Sequence, residues 1–156
     1  MILNQQRRVS VSVPALERFL SRVLGEVGLE RGSLSVALVT DGQIARWNLA
    51  YRGKNRPTDV LSFATDAPAR GPRKESSRGT KSKSTGSLGD DSYLGDIAIA
   101  PSVALRNASQ LGRTLDQEMR ILILHGVLHL MGYDHEADNG QMNRRETHLR
   151  RKLGLA

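Results

Sequence analysis

At 156 residues the chain has the length of one domain and can bury a core without covalent staples. It has no cysteine, which excludes disulfides and thiolate-held metals and fits a reducing compartment; any metal must be held by histidine or carboxylate. Lys and Arg number 23 against 16 Asp and Glu, a formal net charge of +7 that favours a polyanionic partner, while 4% aromatics argue against a binder built on stacked rings.

MILNQQRRVSVSV, at the start, has no apolar run long enough for a signal peptide, and no stretch approaches a transmembrane length. The expectation is a cytoplasmic protein with no membrane partner. Val9, Val11 and Val13 alternate with serines and predict a short strand. Pro14 suits the first turn of a helix, along which Leu16, Phe19, Leu20, Val23, Leu24 and Val27 recur until Gly28. SLSVALVT, residues 33–40, predicts a second strand buried on both faces. Asp41 can cap a short helix that aligns Ile44, Trp47 and Tyr51.

In YRGKNRPTDVLSF, residues 51–63, Arg52, Lys54 and Arg56 crowd a loop before Val60, Leu61 and Phe63 begin a third strand. That loop reads equally as a solvated basic turn or as a phosphate-binding loop leading into the core. Residues 66–92 change character: between Arg70 and Lys83 stand six basic residues and one acid, Glu75, among Gly, Ser and Pro. Without apolar periodicity they predict a flexible basic insertion, serving either as a tether or as a grip on a polyanion. YLGDIAIA, residues 93–100, is the fourth predicted strand. Pro101 opens a helix that Gly112 closes, and Thr114 with Gln117 forms a capping-box pattern for the next. A last helix from Asp138 or Asn139 turns Met142, Leu149 and Leu153 inward, with its arginines mostly outward and His148 on the surface.

The densest chemistry lies in LDQEMRILILHGVLHLMGYDH, residues 115–135. His125 and His129 share a helix face, Gly132 can end the helix, and His135 can return to the same point. A single histidine in an apolar helix is usually a hydrogen-bonded core residue. Two on one face, followed by a third behind a glycine, fit a metal with three imidazoles and an open position. The spacing is that of metzincin metalloproteases, in which glutamate follows the first histidine as general base. Here Gly126 stands at that place, so peptide hydrolysis lacks its base. A zinc held by three neutral ligands can lower the pKa of bound water to about 7 and polarise a phosphoryl oxygen, which in a basic protein suits phosphodiester hydrolysis. Asp134 flanks the third ligand and is either a turn residue or a partner for an imidazole. Three imidazoles suit nickel or copper as well as zinc.

HGVLHLMGYDHE, residues 125–136, closely resembles the signature of the YbeY endoribonucleases, bacterial rRNA maturation factors. NLAYRGKNRPTDVLSF, residues 48–63, and LGDIAI, residues 94–99, resemble further segments of that family in the same order. The resemblance implies a metal-dependent, single-strand-directed endoribonuclease acting in 16S rRNA 3′-end maturation and ribosome quality control. Its implied partners are ribosomal RNA and ribosome or small-subunit components, with no DNA expected. It further implies that His125, His129 and His135 bind one zinc ion and that Arg52 is a functionally important residue acting on substrate phosphate. Two departures stand out. Residues 66–92 are longer and more basic than usual for the family, and Ala64 occupies a position where proline commonly follows Ser-Phe.

The expected fold is thus a single α/β domain over residues 1–156, α+β-like in its segregation, and the resemblance implies that it is zincin-like. A small four-stranded mixed sheet should pack with helices around the histidine-bearing helix. Two other readings stand beside the nuclease: a metallopeptidase of zincin type, and a non-catalytic RNA- or ribosome-binding module with a structural zinc. The residues leave the nucleophile open between water and the ribose 2′-hydroxyl; a 2′,3′-cyclic phosphate product marks the latter.

Overall fold

The computed structural model describes residues 1–65, 93–133 and 139–155. Strands β1 (Ile2–Asn4), β2 (Leu34–Leu38), β3 (Val60–Ala64) and β4 (Gly95–Ile99) form one four-stranded sheet in the order β1-β2-β4-β3. The first three in that order run parallel, and β3 closes one edge antiparallel to β4. The described helices are α1 (Val13–Val27), α2 (Asp41–Arg52), α3 (Pro101–Leu111), α4 (Leu115–Leu130) and α5 (Gln141–Lys152). This is the mixed α/β sheet expected. The parallel pairing of β1 with β2 needs a crossover, and α1 supplies it.

The alternation of side chains along each strand divides the interior in two. Leu34, Val36, Leu38, Ile97 and Ile99 point to one face, where they join Phe19 and Leu20 of α1, Leu124 and Leu128 of α4 and Met142 and Leu149 of α5. Leu61, Phe63 and Ala98 point to the other face, with Ile44 of α2 and Val103 of α3. So α2 and α4 cover opposite faces of the sheet. β2 is deeply buried on the α4 side alone; Ser35 and Ala37 are only half-buried.

The Val9-Val11-Val13 alternation is not a strand. Gln6, 6% exposed, accepts a hydrogen bond from Val9 N through Oε1 and donates from Nε2 to Val9 O, so it occupies the two groups that a ladder would use. Ser12 then caps α1, its side chain accepting from Ala15 N, and Pro14 lies in the first turn. Val11 and Val13 still pack on the core. The strand that the alternation suggested lies at Ile2–Asn4 instead.

The predicted helix ends mostly hold. Thr40 rather than Asp41 caps α2, with Asp41 in the first turn, where an acid complements the helix dipole. Thr114 and Gln117 form the full capping box at α4. Gly132, at φ 103°, takes the chain out of that helix in a backbone conformation that favours glycine. α5 begins at Gln141; of the two starts expected, Asn139 lies before it and Asp138 lies outside the described residues. Met142, Leu149 and Leu153 are buried as the pattern required.

The predicted insertion, residues 66–92, lies outside the described residues, but its flanks are defined. Thr65 N donates to Leu94 O at 2.9 Å and Thr65 Oγ1 to Tyr93 O at 3.0 Å, so the chain leaves and re-enters the sheet at adjacent points. Among the described residues no helix is long and apolar enough to cross a membrane.

Candidate metal centre

From Ile121 to Leu130 every residue of α4 is buried except His125 and His129, which are intermediate. The helix is packed by α1, α3, α5 and the sheet, and these two imidazoles line its one opening in that span. The rings stand 4.6 Å apart between centroids at 72°, and Nε2 of His129 lies 3.1 Å from Nε2 of His125.

Two nitrogens held about 2.0–2.1 Å from a tetrahedral zinc stand about 3.3 Å apart, so the observed spacing fits a pair of ligands on one cation. The far side of His125 fits as well: its Nδ1 lies 3.0 Å from Glu146 Oε1 on α5, and Arg150 Nη1 lies 3.8 Å from the other oxygen. An ionised carboxylate only accepts, so this contact suits a ring that donates from Nδ1 and keeps a lone pair on Nε2. Chemistry and spacing both suit a divalent metal.

The third expected ligand, His135, lies outside the described residues, as does Asp134. Among the described residues no three ligating side chains gather. His148 is exposed on α5, as expected.

Glu146 escaped the sequence reading, although a signal was present. Spaced with Met142, Leu149 and Leu153, it occupies the inward stripe of α5 and is the only acid in that helix. An acid on a buried stripe is more informative than any of the surface arginines around it.

Gly126 also changes meaning. A Cβ there would lie 2.9 Å from both Cδ1 and Cγ2 of Ile97 in β4. The position faces the sheet, and glycine lets α4 press against it. β3 runs beside the same turn, with Ser62 Oγ 3.5 Å from the Gly126 carbonyl.

Arg52 is exposed in the last turn of α2, and among the described residues no hydrogen bond or ion pair joins it to either imidazole. Its backbone is well held. Phe63 receives Trp47 edge-on at 6.0 Å and Tyr51 at 4.7 Å, which fixes the end of α2 on β3. Gly53 caps that helix, and buried Asn48 donates from Nδ2 to Arg56 O at 2.9 Å, drawing the basic loop back onto α2. Asp59, at the end of the loop, accepts from Asn107 of α3.

The family model described as Endoribonuclease YbeY matches residues 1–154. The chain belongs to the YbeY endoribonuclease family. Its curated relatives include the Endoribonuclease YbeY of Koribacter versatilis, 37% identical over 155 residues, covering 99% of this chain and 86% of the relative. The Endoribonuclease YbeY of Moorella thermoacetica is 35% identical over 161 residues, covering 99% and 96%. Among solved structures, the chain is similar to the solution structure of TM1509 from Thermotoga maritima. The TM-score is 0.58 at 25% identity, over 98% of this chain and 89% of that one. In this YbeY-family chain the described part of the signature is the paired imidazoles of α4, backed by α5.

Proposed function

We propose that the chain is a zinc-dependent, single-strand-directed endoribonuclease, a hydrolase acting in 16S rRNA 3′-end maturation and ribosome quality control in the cytoplasm. RNA would be its substrate, and ribosome or small-subunit components its partners. Support for RNA cleavage comes from its relatives, which carry the name Endoribonuclease YbeY, and from the net charge of +7. The zinc reading is carried by one observation: the two Nε2 atoms face each other at 3.1 Å, with Glu146 behind one ring.

In this reading His125 and His129 bind zinc through Nε2, and His135 completes the set. The zinc, when bound, supplies a Lewis acid for a phosphoryl oxygen and for water. Arg52, at the head of the held basic loop, binds substrate phosphate with its planar guanidinium and stabilises charge as it builds. A zincin-like peptidase fits less well. The position after His125 has no room for a carboxylate, and Glu146 lies on the Nδ1 side of His125, away from where a metal-bound substrate would be.

Elemental analysis of the purified chain, paired with cleavage of ribosomal RNA with and without chelator, tests the proposal. We expect about one zinc per chain, cleavage lost on chelation and restored by zinc. Undiminished cleavage by metal-free protein overturns the zinc dependence; robust cleavage of unstructured protein by the zinc-loaded form favours a peptidase.

A further inference from the structure

We propose that Glu146 is a positioning residue that locks His125 in the tautomer with its proton on Nδ1, turning a bare Nε2 toward His129. The significance for metal binding rests on the zinc reading above; the geometry does not. Glu146 Oε1 lies 3.0 Å from His125 Nδ1, with Glu146 side-chain exposure 15% and His125 27%, so water competes weakly for the contact. The acceptor-only carboxylate admits one arrangement of the proton.

Packing, not the hydrogen bond, places the carboxylate. Met142 lies one turn before Glu146 and Leu149 one turn after it, both 1% exposed in the core shared with α4. Arg150, one turn along the same helix, stands behind the second oxygen at 3.8 Å. Opposite Nδ1, the His125 Nε2 faces His129 Nε2 at 3.1 Å. With a bare His125 Nε2, the metal-free pair can share a proton donated by His129, and a cation displaces it. With the opposite tautomer, His125 Nε2 would carry a proton into the site and no lone pair. α5 is therefore part of the centre, although it contributes no ligand. Because a ring's two nitrogens point apart, Glu146 does not reach the reacting atoms and is not a general base.

The test uses the full chain as wild type, Glu146→Gln and Glu146→Ala. Glutamine keeps the size of the side chain, but its amide can donate as well as accept, so it removes the one-way constraint. Long-range proton–nitrogen spectra of ring-labelled, metal-free protein at mildly alkaline pH read the tautomer directly. Competition with a chromophoric chelator reads the affinity for zinc alone, and thermal melts report folding. We expect His125 to be Nδ1-protonated in the wild type and a mixture in Glu146→Gln. Zinc affinity should fall in Glu146→Gln, and roughly 10–100-fold in Glu146→Ala. A folded Glu146→Gln with His125 still wholly Nδ1-protonated, or with zinc affinity within about twofold of wild type, overturns the proposal. If Glu146→Ala does not fold, the glutamine variant alone decides. If wild type binds zinc no better than His125→Ala, the metal reading fails, while the tautomer still decides what Glu146 does.

Discussion

A methyl group at position 126 would meet Cδ1 and Cγ2 of Ile97, and Ile97 is a fully buried residue of the central strand β4 with nowhere to retreat. Replacing glycine by alanine inside a helix gains up to about 1 kcal/mol of propensity, while overpacking a close-packed core costs about 1–3 kcal/mol. The second effect wins. Gly126→Ala should lower stability by about 1 kcal/mol in chemical denaturation, and adding Ile97→Val should recover part of it by removing Cδ1. An alanine variant as stable as wild type would mean that the helix–sheet contact yields. Along the chain, Gly126 could be read only as the place where a protease keeps its base. Its packing role depends on which strand lies beneath α4, and no local pattern carries that. Arg52 poses the reverse case: the basic loop was plain in the sequence, but not the aromatic packing of Tyr51 on Phe63 that holds its base. Arg52→Ala should cut RNA cleavage roughly ten- to a hundredfold, while zinc content stays at the wild-type level. Loss of metal from that variant would sink the phosphate-binding role.

At the scale of elements, what could be read was what local chemistry determines. Pro14, Gly28, Pro101, Gly112 and the Thr114–Gln117 pair each mark an end that the structure keeps, because a cap is decided within three or four residues. β1 was missed because its three residues become a strand only through Val36, Ala37 and Leu38 of β2. The alternating valines after it form no strand because Gln6 satisfies Val9 from outside any ladder. In α4 the cap is separable from the site. Thr114 accepts from Gln117 N at 3.1 Å, about three turns before His125. Thr114→Ala should therefore cost about 1 kcal/mol of stability, read as a lower denaturation midpoint, and leave zinc affinity unchanged. A drop in affinity matching the drop in stability would show that the first turn and the imidazoles unfold as one unit.

For the whole molecule, a proposed RNA path has to account for Arg52 and the imidazoles sitting on helices that cover opposite faces of the sheet. β3 separates those faces at one edge, and the chain continues from β3 into residues 66–92, whose stretch from Arg70 to Lys83 carries six basic residues against one acid. That charge is legible in the sequence; the place where it is anchored is not. The sheet fixes the two points that flank it, because Thr65 and Leu94 are hydrogen-bonded neighbours at the end of the β3–β4 pair. Removing residues 70–88 leaves ample chain to close a hairpin between those points, so the β3–β4 register and the melting temperature should be preserved. RNA affinity should not be. Phosphate contacts release counterions, so the affinity of a protein that uses them falls steeply with salt, and a protein stripped of them falls less steeply. We expect the deletion to weaken RNA binding most at low salt and the two proteins to converge as salt rises. A constant ratio of affinities across the salt range would show that the insertion acts by shape or not at all, and would leave the loop from Gly53 to Asp59 as the chain's main basic contact.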